Sequence, residues 1–335
     1  NPSFGPFPGI TQSYVDPHFR PAEIQQFNLN VQHRFGNDLF ADVAYVGTIS
    51  QHLYSATDLN AAVYGPGATE ANAQSRRPIF PQYYGSIPAM FPNADASYHS
   101  LQAEVQKRIS HSYSVQAAYT WEKSMDDHSA SLLGNGPQNP SNLKAEWGLS
   151  DFNVGQIFVV NALWDLPALT GKGVLTAVAG GWRLTTIVGW SGGNPSTVFS
   201  GQDNALIGYC RANSGEERAD LIGNPNLAGG RSRAAREAEY FNTAAFGEPG
   251  PGQFGTLRRN TIINPGSLQN DVSVMKKLVT LPHEFGGFQF RVDYFNVLNR
   301  TNLSGPQTTM TSSAFGQILS ANPQRIGQFA LRYDF

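Results

Sequence analysis

The 335-residue chain has one cysteine, Cys210, which excludes an intrachain disulfide framework and any zinc site built on several thiolates. It contains no run of about 18 apolar residues, so no helix of transmembrane length is encoded. Charge is scarce: Asp, Glu, Lys and Arg make up 14% of residues, and the net charge of −2 excludes a dedicated nucleic-acid binder. Helical periodicity is nearly absent. Aromatics, by contrast, reach 12%, and 34 Gly and 21 Pro punctuate the chain. Many rings and few charges argue against disorder. The sequence opens on Asn1 without a basic-then-apolar leader, as a mature or internal piece would.

What is abundant is alternation. Gln25, Phe27, Leu29, Val31, His33 and Phe35 share one face of an extended segment, opposed by Gln26, Asn28, Asn30, Gln32 and Arg34. Gly36-Asn37-Asp38 supplies a hairpin turn. A weaker alternation through Leu39, Ala41, Val43 and Tyr45 follows. The unit returns at Leu101, Ala103, Val105 and Ile109, with Lys107 on the apolar face near a strand end, where its stem can snorkel. It returns again at Tyr113, Val115, Ala117, Tyr119 and Trp121. Further strands are predicted over 156–164, 182–190, 271–278 and 288–294, and the last over 328–335, where Phe329, Leu331, Tyr333 and Phe335 share a face.

The nine strands are joined by short links alternating with long ones near 48–97, 123–153, 192–269 and 297–324. Short turns at one end and long loops at the other are the plan of an outer-membrane barrel, whose strands of about 10 residues, tilted about 40°, span a band near 25 Å tall. Rings near strand ends (Trp121, Trp182, Trp190, Phe288, Tyr294, Tyr333) fit interfacial girdles. A soluble β-sandwich also alternates and would bury its apolar face under a second sheet, but polar faces rich in Gln, Asn, Ser and Arg suit a wet lumen, and the rings at strand ends count for the barrel.

Candidate sites are few. Asp126-Asp127-His128, with Glu122 nearby, is the densest group of potential metal ligands, but it lacks the spacing of a calcium loop and reads as a solvated loop at the top of a hairpin, so no metal site is expected. Leu169-Thr170-Gly171-Lys172-Gly173 reads as a turn and not a phosphate loop. Arg231, Arg233 and Arg236, followed by Glu237 and Glu239, predict a short helix within the longest loop, with anion or ligand contact as the functional option. Tyr83, Tyr84 and Phe91 are placed to stack on a ligand or on one another. His33 and His99, on apolar faces near strand ends, read as interfacial. No nucleophile–base pairing and no cofactor motif stands out, so neither an enzyme nor a cofactor is expected, and Cys210 reads as an unpaired thiol.

Several segments together resemble the C-terminal barrel of TonB-dependent outer-membrane receptors of the Oar-like group. They are RRPIFPQYYGSI from Arg76, SYHSLQAEVQKRIS from Ser97, AAYTWEKSMD from Ala117, LSDFNVGQIFVVNALWDLP from Leu149, GGWRLTTIVGWSGGNPSTV from Gly180, YFNTAAF from Tyr240, FRVDYFNVLNRTNL from Phe290 and FGQILSANPQRIGQFALRYDF from Phe315. Val154-Gly155-Gln156 departs from a more basic run in that group.

The resemblance implies an all-β, antiparallel, up-and-down transmembrane barrel, usually 22-stranded, of which residues 1–335 supply the C-terminal part. Residues 1–23 would then be an extracellular loop, and 24–335 the strands with their loops. It implies partners as well: outer-membrane lipid, the assembly machinery, an extracellular ligand of unknown kind, and TonB-type energy coupling through a plug missing from this chain. Phe329, Leu331, Tyr333 and the terminal Phe335 match the signal which that machinery reads, so deleting Phe335 from the intact protein is expected to lower the amount assembled while synthesis continues. Unchanged assembly, scored by membrane fractionation, would remove that support. A passive porin or secretion pore, and a soluble sugar-binding β-protein, are the other functional readings open at this stage.

Overall fold

A computed structural model describes residues 13–82, 84–110, 112–129, 136–167, 178–208, 217–280 and 287–334. Cys210, Tyr83, Phe335 and the Leu169–Gly173 turn lie outside the described residues.

Among the described residues, nine long strands form one antiparallel sheet: β1 Glu23–Phe35, β2 Leu39–Asp58, β3 Pro88–Ser110, β4 Tyr113–Asp126, β5 Gln156–Asp165, β6 Trp182–Ser191, β7 Ser267–Thr280, β8 Gly287–Phe295 and β9 Ile326–Asp334. Each pairs with its neighbour in sequence, so the sheet is a meander with β1 and β9 at its two edges. Short Tyr14–Val15 and Gly148–Leu149 pair beside the upper ends of β3 and β4. The turn between β1 and β2 forms where Gly36-Asn37-Asp38 predicts it, with Gly36 in the left-handed region at φ +63°.

Register settles which residues share a face. Val31 pairs with Val43, Val43 with Ala103, Ala103 with Tyr119, Tyr119 with Phe158, and Phe158 with Trp190. One row of apolar side chains therefore crosses six strands without a slip, and the rows above and below keep the same side. Phe288–Tyr333, Phe290–Leu331 and Val292–Phe329 continue that face to β9. On the opposite face, polar groups bridge the strands. Asn30 and Gln32 both donate to the Asp42 carboxylate at 2.8 Å, and Gln116 donates to Glu104 at 2.7 Å.

Away from the loop end, no second layer of the described residues covers either face. Every residue of β1 is exposed, with Leu29 69% and Val31 64% accessible. A sandwich would bury one of these faces under a second sheet. Outside the long sheet, the described strands form only two two-stranded ladders, Asp220–Leu221 with Phe246–Gly247 and Ile262–Ile263 with Pro195–Ser196. The soluble-sandwich alternative is therefore set aside: an uncovered apolar face running over nine strands suits lipid as its solvent.

Strand ends carry the expected rings: Phe27, Tyr45, Trp121 and Trp190 toward the long-loop end, Phe35, Tyr113, Trp164 and Tyr333 toward the short-turn end. Gly47 lets the Phe27 ring lie across its strand, since a Cβ there would come within 2.2 Å of that ring. Lys107 does more than snorkel: its ammonium pairs with Asp38 at 2.9 Å and sits 4.9 Å over the Tyr113 ring. The other interfacial histidine, His33, packs edge-on against Phe35 at 4.3 Å.

Two strands outrun the sequence pattern. Alternation places the connection after β2 near 48–97, whereas pairing of β2 with β3 continues to Asp58–Pro88, leaving 59–87 as the link. Register shifts around Leu53 break the period of two there.

Candidate functional site

The long connections do not wave freely. Segments between β6 and β7 and after β8 pack into a cap with its own core of Val198, Ala219, Phe241, Phe246, Leu257 and Ile262, all buried. Phe241 meets Phe246 and Phe315 edge-on at 5.4 and 5.3 Å. The helix expected among the arginines is Arg233–Ala238, capped by the Ser232 hydroxyl, which accepts from the Ala235 N–H at 3.2 Å. Its flanking Arg231 is absorbed by the fold, donating to the carbonyls of Glu239 and Tyr240 at 2.6 and 2.9 Å. Arg233 pairs with Glu237 at 3.3 Å, and the Arg236 guanidinium lies over the Tyr240 ring.

Buried ion pairs tie the cap to the strand tops. Arg218 pairs with Glu146, both nearly inaccessible, and donates to the Leu257 carbonyl at 2.7 Å. Arg259 pairs with Asp126 at the end of β4 and reaches Ser129 Oγ at 2.9 Å. Arg77 joins Asp58, at the end of β2, to the Gly208 carbonyl, each at 2.9 Å. These contacts join three connections, 59–87, 127–155 and 192–266, into one body.

This network takes apart the metal candidate. Asp126 is occupied by Arg259. Asp127 accepts the Asp95 N–H at 2.9 Å, and burial pushes its carboxyl up to about 6. His128 Nε2 accepts from the Ala56 N–H at 3.4 Å, and burial lowers its basicity. Glu122 accepts from the Tyr98 hydroxyl at 3.0 Å. Among the described residues no group of three or more His, Cys, Asp or Glu is placed to hold a metal. The cavity beside His128, Glu146, Arg218 and Arg259 measures about 50 Å³, room for one or two waters. Tyr84 and Phe91 pack on loop rings, against Phe80 at 6.4 Å and Tyr14 at 5.9 Å.

A larger opening lies elsewhere in the cap. A cleft of about 490 Å³ is lined by Glu70, Gln202, Asp203, Asn204, Glu248 and Pro249, a volume suited to a small polar ligand. Behind it Glu217 is wholly buried: one carboxyl oxygen accepts the Ala205 N–H at 2.9 Å and the other has no hydrogen-bond partner among the described residues. Burial, reinforced by Asp203, pushes this carboxyl up to about 8, so it is protonated at neutral pH. A carboxyl raised on folding favours the folded cap at low pH and loses that contribution as pH rises from about 4.5 through about 8. Protease resistance of the cap is therefore expected to fall between pH 6 and 9 in the wild type and to stay level in Glu217→Gln. A slope unchanged by the substitution would assign the dependence to another group.

At the other end of the chain, Phe329, Leu331 and Tyr333 stand on the apolar face of β9, with the Tyr333 ring 4.9 Å from Phe288. The cap residues Glu146, Arg218, Arg259 and Glu217 give no signal in the sequence, because each acts through a partner outside its own segment or through burial.

A family model described as "Outer membrane beta barrel domain" matches residues 1–328. Among solved structures, the outer membrane transporter YddB from Escherichia coli is similar at a TM-score of 0.52 and 11% identity, over 96% of this chain and 34% of that one. The ferripyoverdine receptor of the outer membrane of Pseudomonas aeruginosa gives a TM-score of 0.46 at 13% identity, over 95% of this chain and 28% of that one. The FrpB iron transporter from Neisseria meningitidis gives 0.45 at 10% identity, over 96% and 32%. At 11% identity, the likeness to YddB speaks to fold alone. The chain spans about a third or less of the length of these structures. Comparison with curated proteins gives no match.

Proposed function

The chain belongs to the outer membrane beta barrel domain family, which places it in the bacterial outer membrane, and from that premise we propose that it forms part of the wall and the ligand-facing cap of a TonB-dependent, Oar-like receptor. The wall is the nine-stranded sheet, its apolar face toward lipid and its Gln- and Asn-rich face toward the lumen. The sheet leaves edges at β1 and β9, and open edges in lipid cost several kcal/mol per unpaired backbone group, so further strands close it. The cap captures ligand, with the cleft at Asp203 and Glu248 as its entry point. Energy coupling acts through a plug outside this chain, and the role assigned here is binding and transport, not catalysis.

The observation that carries this reading is the cap itself. Three long connections on one side of the membrane are locked together by buried ion pairs, which keeps a binding surface in shape without ligand. A passive pore needs no such pre-organisation. Two experiments test the proposal. A tag inserted at the exposed Gly67 should be reached by antibody on intact cells, and access only after the outer membrane is broken would reverse the topology. In planar bilayers the intact protein should hold no steady conductance, because a plug fills it. A stable open channel would favour the passive-pore reading.

A further inference from the structure

The sheet carries a second concave feature, on its apolar face. Register sets Tyr45 beside Leu101 and Leu101 beside Trp121 in one row of β2, β3 and β4. The row immediately toward the loops is Gly47, His99 and Lys123. Tyr45, Leu101, Trp121 and Leu149, with His99 and Lys123 at the loop-side end, border a groove of about 540 Å³. These are interior strands of the sheet, so closure at β1 and β9 leaves the groove open.

Lys123 is the unexpected member. It is exposed, stands on the lipid-facing side one row beyond Trp121, and has no hydrogen-bond or ion-pair partner among the described residues. The other two described lysines on that face are satisfied: Lys107 on Asp38, and Lys276 on the carbonyls of Val178 and Gly180. His99 pairs directly with Lys123 across the strands. Its Nδ1 lies 2.8 Å from the Tyr45 hydroxyl, which orients the ring and leaves Nε2 for a second partner. The one carboxylate bordering the groove, Glu122, is engaged on the opposite face by Tyr98 at 3.0 Å. An ammonium and an imidazole side by side at the head of an apolar trough match an anion attached to a hydrocarbon chain.

We propose that this groove binds one phosphate-bearing lipid of the outer leaflet, with an acyl chain along Tyr45, Leu101 and Trp121 and the phosphate on Lys123 and His99. The site itself follows from the register and the groove. Its assignment to the outer leaflet rests on the topology proposed above. Native mass spectrometry of the intact protein in a neutral detergent provides the test, with dioleoyl phosphatidic acid as probe and dioleoylglycerol and inorganic phosphate as controls.

One phosphatidic acid should be retained by the wild type and by Lys123→Arg. Lys123→Gln should weaken retention about tenfold, the worth of one charge-assisted hydrogen bond. Dioleoylglycerol should not be retained, and inorganic phosphate should not compete. Equal retention by Lys123→Gln would overturn the site, and full competition by inorganic phosphate would make it a free-anion site instead of a lipid site. If the Lys123 dependence holds while a Gly67 tag is shielded on intact cells, the lipid site stands and its outer-leaflet assignment fails.

Discussion

Arg218→Ala is expected to destabilise the cap by roughly 3–5 kcal/mol, because it strands the Glu146 carboxylate in a site with almost no water access. The Arg218 guanidinium also donates to the Leu257 carbonyl at 2.7 Å, and its backbone N–H donates to Gln138 Oε1 at 3.1 Å, so side chain and backbone are both fixed. The check is the urea midpoint for proteolysis of the cap in outer-membrane vesicles. The double variant Arg218→Met with Glu146→Leu should recover most of the loss, since replacing both charges removes the desolvation problem with the pair. A single-variant loss no larger than that of an exposed pair, below about 1 kcal/mol, would mean that water reaches Glu146.

The second large effect belongs to the wall. Leu331→Arg should cost about 2–4 kcal/mol, the penalty for a cation on the lipid face near the midplane. Leu331 is 65% accessible and pairs across from Phe290. Its neighbour Arg332 pairs across from Gln289 and points to the wet side, so Arg332→Leu should cost less. Folded fraction in the membrane, read by the heat-dependent shift in gel mobility, measures both. The opposite order would invert the assignment of faces along β9.

The wall was legible in the sequence for a physical reason. Lipid on one side and water on the other impose a strict period of two, and Phe27–Gln32 displays it without interruption. Where that contrast ends, so does the signal. The upper part of β2 carries Ser50, Ser55 and Asp58, buried against other protein and not against lipid, and the shift near Leu53 moves side chains off phase. The cap was illegible for another reason. Arg259 and Asp126 lie 133 residues apart in sequence, and Arg218 and Glu146 72 apart, so no window contains both partners. The partners of the Asp126-Asp127-His128 cluster were equally illegible, because adjacency in sequence scatters the three groups among Arg259, the Asp95 N–H and the Ala56 N–H.

Cysteine scanning along β1 reads out which face of the wall meets lipid and which meets water. In a Cys210→Ser background of the intact protein, each residue from Gln25 to Phe35 is replaced in turn by cysteine and labelled with a fluorophore in outer-membrane vesicles. A nitroxide-bearing lipid should then quench labels at 27, 29, 31 and 33, while a water-soluble quencher should reach 26, 28, 30 and 32. Quenching from water at both sets, or lipid quenching at neither, would contradict a membrane wall with one face in lipid and one in a wet lumen.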